Sequence, residues 1–186
     1  MLTEKTYSDS YKQLILALHE GPEYGKRNGP YVYQLDNGLQ AYIANKIIPL
    51  NPATILDYGC GQNGNNLEFL LPKVFPGLVI TKYDPFVPQF NNFPAEGSKF
   101  DVVVCYNVLQ DVEYEFLPAV LDNLLEFTNN YVVLEFVIAP SYVTEEQYMN
   151  LINARFNVEF TFTTQPFTTD DGDTATRRVM VLKKKA

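Results

Sequence analysis

The alternation of apolar and polar positions along the chain of 186 residues changes period several times, and each change predicts an element. Over 9–19 ("DSYKQLILALH") apolar residues recur at helical spacing after a Ser/Asp start, and Gly21-Pro22 stops the pattern. Residues 24–30 ("YGKRNGP") read as loop, and 37–46 ("NGLQAYIANK") as a short helix ending before Pro49. The stretch "ATILDYG" over 53–59 is a buried strand running into a glycine turn, followed by helix over 65–71 up to Pro72. Strands are expected over 78–83 ("LVITKY"), 100–107 ("FDVVVCYN") and 131–138 ("YVVLEFVI"). A Pro-, Phe- and Asn-rich loop fills 85–99, and helix is expected over 117–128. A last helix is expected over 144–156, where Thr144 and Gln147 have the spacing of a capping box. Two further runs, 157–164 and 177–184, flank polar residues 168–176 and read as an antiparallel pair.

Strands that alternate with helices, most of them almost wholly apolar, imply an α/β fold with a parallel sheet covered on both faces. Ligands of such sheets sit beyond the carboxyl ends of the strands. "DYGCGQNG", "YDPF", "CYNVLQDVE" and "IAPSY" all fall at those ends, so four loops converge on one rim.

Composition narrows the partners. A net charge of −8 and a pI near 4.6 make non-specific attraction to nucleic acid or an anionic membrane weak. The only basic runs are 25–29 and 183–185. Cys60 and Cys105 match no metal template and form no disulfide framework, so reduced intracellular thiols and no metal are expected. Neither a signal-peptide pattern nor an apolar run of about 20 residues is present, which predicts a cytoplasmic protein without a membrane span.

The glycines leave two cofactor readings open. Gly59, Gly61 and Gly64 spell G-x-G-x-x-G, and Asp84 follows at about the 20-residue distance of a ribose-binding carboxylate in a dinucleotide site. Asp57, two residues ahead of Gly59, would repel a pyrophosphate and suits a cationic sulfonium ligand bearing an amino group. More than fifty residues precede this strand, and an antiparallel pair closes the chain, both foreign to a plain dinucleotide domain.

On these residues the chain resembles the class I S-adenosylmethionine (SAM)-dependent methyltransferases. "ILDYGCGQNG" resembles their first motif with its last glycine displaced to Gly64, "YDP" their second-strand acidic motif, and "FDVVVCYNVLQDVE" their motif of the following strand and turn. A bacteriophage or bacterial subgroup is the looser match. The resemblance implies a Rossmann-like, mostly parallel sheet with a C-terminal antiparallel pair, helices on both faces and an N-terminal helical extension. Its division of the chain is 1–50 as cap and 51–186 as core. The cofactor is expected on Asp57, Gly59, Cys60, Gly61, Asp84, Pro85, Phe86 and Asn107. The resemblance puts Asp84 on the ribose, and Phe86 is expected over the adenine in place of the family's adenine-contacting acidic motif, which has no clear counterpart here. Catalysis falls to Asp111, Asn107 or Tyr106, although Asp111 is equally placed to cap the next helix. Tyr24, Lys26, Arg27 and Tyr31 are the expected substrate contacts, against a plain solvated loop.

There are departures from the family pattern. Residues 85–99 leave little room for the usual third strand, Gln110-Asp111 stands where Glu-His is frequent, and the only histidine is His19. The motifs of amino-directed DNA methylation and of cytosine-C5 methylation are absent from the sequence. The expected activity is methyl transfer to a small molecule, modified nucleotide or protein, in the host cytoplasm if the chain is phage-encoded. The alternatives are a domain that binds SAM or a partner without methylating it, and an NAD-dependent oxidoreductase.

Overall fold

The computed structural model describes residues 2–20, 45–61, 67, 71, 74–139, 143–169 and 172–185. Seven strands form one sheet: β1 (Thr54–Tyr58), β2 (Val79–Tyr83), β3 (Phe100–Tyr106), β4 (Thr128–Ile138), β5 (Phe156–Thr163), β6 (Phe167–Thr168) and β7 (Thr174–Lys184). Three α-helices lie among the described residues: α1 (Asp9–Glu20), α2 (Leu117–Phe127) and α3 (Glu145–Asn153). The strand order is β2-β1-β3-β4-β7-β5, with β6 paired to β7. Pairs from β2 to β4 are parallel and pairs involving β7 are antiparallel, which is the expected Rossmann-like arrangement.

Two-residue periodicity sorts the strand side chains between two cores. On one face Leu56, Val103, Leu134 and Phe136 pack with Leu117, Leu121 and Leu124 of α2 and with Tyr148 and Ile152 of α3. On the other, Ile55, Val102, Val104, Val133 and Val179 pack with Ile47, Leu67 and Leu71. The capping box at α3 is present: Gln147 N–H donates to Thr144 Oγ1 at 3.3 Å, and Thr144 N–H donates to Gln147 Oε1 at 3.0 Å.

Several boundaries differ from the sequence-based expectation. β4 starts at Thr128, whose hydroxyl donates to Tyr131 O, and β3 accommodates it with a register shift between Phe100 and Val102. α3 ends at Asn153 because Phe156 is buried as the first residue of β5. β7 reaches back to Thr174 to pair with β6. Of 37–46 only 45 and 46 are described, in a helical turn running into the 3-10 turn Ile48–Leu50, and of 65–71 only Leu67 and Leu71, joined by Leu71 N–H to Leu67 O at 2.9 Å.

No strand follows β2 before β3. Asp84 N–H donates to Phe90 O at 3.0 Å and Phe90 N–H to Val87 O at 2.8 Å, so this segment curls instead of extending. The sheet therefore ends at β2. Phe93 packs edge-on against Tyr83 and Phe127, at 5.2 and 5.3 Å between ring centroids.

The segment before α1 is tied to the core by buried Asn123. Its Oδ1 accepts Thr3 N–H at 3.0 Å, and its Nδ2 donates to Thr3 O at 2.7 Å and Tyr58 Oη at 3.2 Å. Ser8 caps α1, accepting Tyr11 N–H at 3.0 Å, and gives its own N–H and hydroxyl to the Glu113 carboxylate at 2.8 and 2.7 Å. Among the described residues no helix is long and apolar enough to cross a membrane.

Truncating a buried, fully bonded amide strands its partners, so Asn123→Ala is expected to lower stability by about 1–3 kcal/mol. Urea denaturation measures the loss. Hydrogen exchange should quicken at Thr3 and leave the β1 and β3 amides protected until global unfolding.

Candidate functional site

The turn after β1 is pinned from two sides. Gly59 and Gly61 have φ of +78° and +65°, which side-chain-bearing residues rarely adopt. Gly59 N–H and Cys60 N–H both donate to Tyr83 O, at 2.7 and 3.1 Å, fixing the turn to the end of β2. A Cβ on Gly59 would lie 2.3 Å from Val108 Cγ2, so the turn is also pressed against the residues leaving β3. At Gly61 the same construction meets nothing within 4 Å among the described residues.

Two carboxylates frame this turn. Asp57 is 1% exposed on β1, in register with Lys82 of β2 and Val104 of β3. Asp84 accepts Gly61 N–H on Oδ2 and Phe86 N–H on Oδ1, each at 2.9 Å. These two bonds fix the carboxylate of Asp84 against the glycine turn. The sequence-predicted Asp57, Gly59, Cys60, Gly61, Asp84 and Phe86 are thus brought together. Cys60 and Cys105 are free and buried. Burial first, and then the charges of Asp57 and Asp84, push the Cys60 thiol up; burial, Asp57 and Glu135 do the same to Cys105. Neither thiol is activated.

The second half of the rim follows β3. Asn107 is exposed at φ +57°, and a 3-10 turn (Leu109–Asp111) follows it. Asp111 caps no helix: α2 begins at Leu117 without a side-chain cap. Its carboxyl instead lines a cleft of about 350 Å³ between Tyr11, Leu14 and Ile15 of α1 and residues 110–113. Desolvation by the cleft walls pushes Asp111 up to about 6, opposed by the hydrogen bond from Gln110 Nε2 at 2.9 Å. Water still reaches the side chain, which keeps the energetic consequence small. Tyr106 points elsewhere. Its ring belongs to the core beneath the sheet and its hydroxyl is closed off from solvent, and of the three residues Asp111 is the one that lines the cleft.

Two groups at the rim were not anticipated from sequence. Glu135 of β4 has no exposure, accepts Asn107 N–H on Oε2 at 2.8 Å and pairs through Oε1 with Arg177 Nη1 of β7 at 3.2 Å. A carboxylate inside the apolar run "YVVLEFVI" was the available signal. The N-terminal aromatics are the other group. Tyr7 and Tyr11 pack on Phe86 at 4.7 and 6.0 Å between centroids. Tyr24, Lys26, Arg27, Tyr31 and Gly64 lie outside the described residues, as does the side chain of His19.

A family model described as a methyltransferase domain matches residues 31–161. A comparison with curated proteins found no significant sequence match. Among solved structures, magnesium protoporphyrin IX methyltransferase from Synechocystis PCC 6803 with bound SAM superimposes with a TM-score of 0.66 at 16% identity, covering 96% of this chain and 99% of that one. The Burkholderia thailandensis 1,6-didemethyltoxoflavin-N1-methyltransferase, solved with 1,6-didemethyltoxoflavin and S-adenosylhomocysteine, gives 0.64 at 14% identity, covering 100% and 92%. Human N-acetylserotonin methyltransferase with SAM gives 0.63 at 12%, covering 98% and 64%.

Gly61→Ala meets no clash among the described residues and bears the strain of positive φ, about 1–2 kcal/mol. Gly59→Ala adds the clash with Val108 and should cost more, with Val108→Ala recovering part of the difference in a denaturant double-mutant cycle. Asp111 makes a pH-dependent prediction. Its folded pKa is raised above the ordinary 3.8, so its stabilising contribution is complete below that value and lost as pH rises through about 6. Asp111→Asn should therefore be more stable than wild type at pH 7.5, by under about 1 kcal/mol given its exposure, and equal at pH 3.5. Thermal unfolding at the two pH values checks this.

Proposed function

The chain belongs to the methyltransferase domain family, and from that premise we propose that it transfers the methyl group of SAM to an oxygen or nitrogen of a small molecule. The observation that carries the acceptor reading is the cleft holding Asp111, a carboxyl raised to about 6, directly after the strand whose exit packs on the glycine turn. The solved relatives named for magnesium protoporphyrin IX, 1,6-didemethyltoxoflavin and N-acetylserotonin support a small-molecule acceptor. The net charge of −8 supports it over bulk nucleic acid. A cytoplasmic setting agrees with the two reduced, buried thiols.

The residues at the rim fit SAM. Among the described residues nothing fills the side of Gly61, Asp57 supplies a negative field at the turn, and the Asp84 carboxylate stands against Gly61, where ribose hydroxyls would meet it. When bound, SAM supplies a methyl group already activated on a sulfonium. The protein's own part is then alignment and proton removal. Tyr11, Leu14, Ile15 and Val112 present an apolar wall that orients the acceptor, and in-line placement of two held reactants supplies much of the rate. The Asp111 carboxylate takes the proton that the acceptor loses as its new bond to carbon forms, a role matched to a pKa near the working pH.

Calorimetry with S-adenosylhomocysteine tests the cofactor half. Wild type should bind, and Asp57→Ala and Asp84→Ala should each lose at least tenfold in affinity. Undiminished binding in both variants contradicts the assigned site. Labelled SAM with a panel of hydroxy- and N–H-bearing heteroaromatic compounds tests the catalytic half. For an accepted compound, kcat/KM should rise with pH through about 6 and level off above it, since the base must be deprotonated. Asp111→Asn should lose about 10²–10⁴-fold and the titration with it. Binding without transfer to any compound would favour a cofactor-binding domain that does not methylate.

A further inference from the structure

Three strands contribute to one polar network at the acceptor end of the sheet, and the catalytic reading above does not use it. Glu135 of β4 is fully buried and pairs with Arg177 of β7. Arg177 Nη1 also donates to Asn107 Oδ1 at 3.0 Å, and Glu135 Oε2 holds the Asn107 N–H at 2.8 Å. Phe167 backs the guanidinium at 5.1 Å. Strand register puts Glu135 opposite Tyr106 and Arg177 opposite Val137, so the network runs across the ends of β3, β4 and β7. The next residue, Val108, is the one in contact with Gly59, which sets Asn107 beside the cofactor turn.

The chemistry of the pair settles which way the Asn107 amide faces. A guanidinium has donors and no acceptor, so the carboxamide atom against it is the oxygen and not the NH2 group. Glu135 in turn neutralises Arg177 and holds the backbone of Asn107 at φ +57°. We propose that Arg177 is a positioning residue that commits the Asn107 oxygen and so turns its NH2 toward the bound ligands, making this point of the rim selective for a hydrogen-bond-accepting oxygen, a carboxylate above all. The inference rests on the methyltransferase reading. Such an oxygen has two sources, the amino-acid end of SAM or the methyl acceptor, and the two are separable by experiment.

Asn107→Asp keeps the shape and replaces the NH2 group by an oxygen. Glu135→Gln combined with Arg177→Gln removes both charges without stranding either one, whereas Arg177→Met alone leaves a buried carboxylate unpaired and risks the fold. The probes are S-adenosylhomocysteine, 5′-methylthioadenosine (which lacks the amino-acid end) and benzoate added to the S-adenosylhomocysteine complex. In wild type the Asn107 side-chain NH2 signals in the ¹H–¹⁵N spectrum should shift on adding the responsible probe. If Asn107→Asp weakens S-adenosylhomocysteine at least tenfold and 5′-methylthioadenosine less than twofold, the oxygen is the cofactor's carboxylate. If both bind as before and benzoate binding is lost, the oxygen belongs to the acceptor. The charge-free double variant should reproduce the same loss in weaker form. Equal binding of all three probes by wild type and Asn107→Asp overturns the inference. Failure of wild type to bind S-adenosylhomocysteine at all overturns the functional reading, and this inference falls with it.

Discussion

One carbonyl organises the ligand end of this molecule. Tyr83 O takes the N–H groups of both Gly59 and Cys60, and the missing Cβ of Gly59 leaves the space that Val108 fills. Those contacts join the ends of β2, β1 and β3 in one stroke. Residues far apart in the chain become neighbours as a result: Asp57 under the turn, Asp84 clasping Gly61, and Asn107 with Asp111 beyond Val108. Loosening the turn would separate the half of the rim that holds Asp57 and Asp84 from the half that carries Asp111, the proposed proton acceptor.

The short connection between β2 and β3 has a structural counterpart at the N-terminus. Where a further strand and helix would extend the sheet, the chain curls through Asp84, Val87 and Phe90, and Phe93 packs against Tyr83. The segment ahead of α1 then spans the rim. Asn123 holds it through Thr3, Tyr7 lies on Phe86 at the Asp84 side, and Ser8 is bonded to Glu113 at the Asp111 side. The first residues of the chain thereby touch both halves of the site, and α1 supplies the apolar wall of the cleft.

Much of this was legible in the sequence, for a physical reason. Strands buried on both faces must be almost continuously apolar, so β1, β3 and β4 announced themselves, and the alternation of helix and strand gave the parallel sheet. The glycine turn was legible because positive φ restricts residue choice, and Asp57 stood out because a carboxylate two residues ahead of the turn would repel a pyrophosphate and suit a cationic ligand. What stayed hidden depends on partners distant in the chain. Nothing local shows that Arg177 meets Glu135, since that contact exists only through the register of β7 on β4. Asn123 reads as an ordinary helix residue until Thr3 arrives beside it. Asp111 was visible as a candidate base or cap, and only the start of α2 six residues later removed the second option.

The crystal structure of the chain grown with S-adenosylhomocysteine tests the central claim most directly. The account predicts the nucleoside against Gly59 to Gly61 with its ribose hydroxyls on Asp84, and the sulfur facing the cleft that holds Asp111. A nucleoside seated elsewhere, or a ribose bonded to another group and not to Asp84, would contradict it.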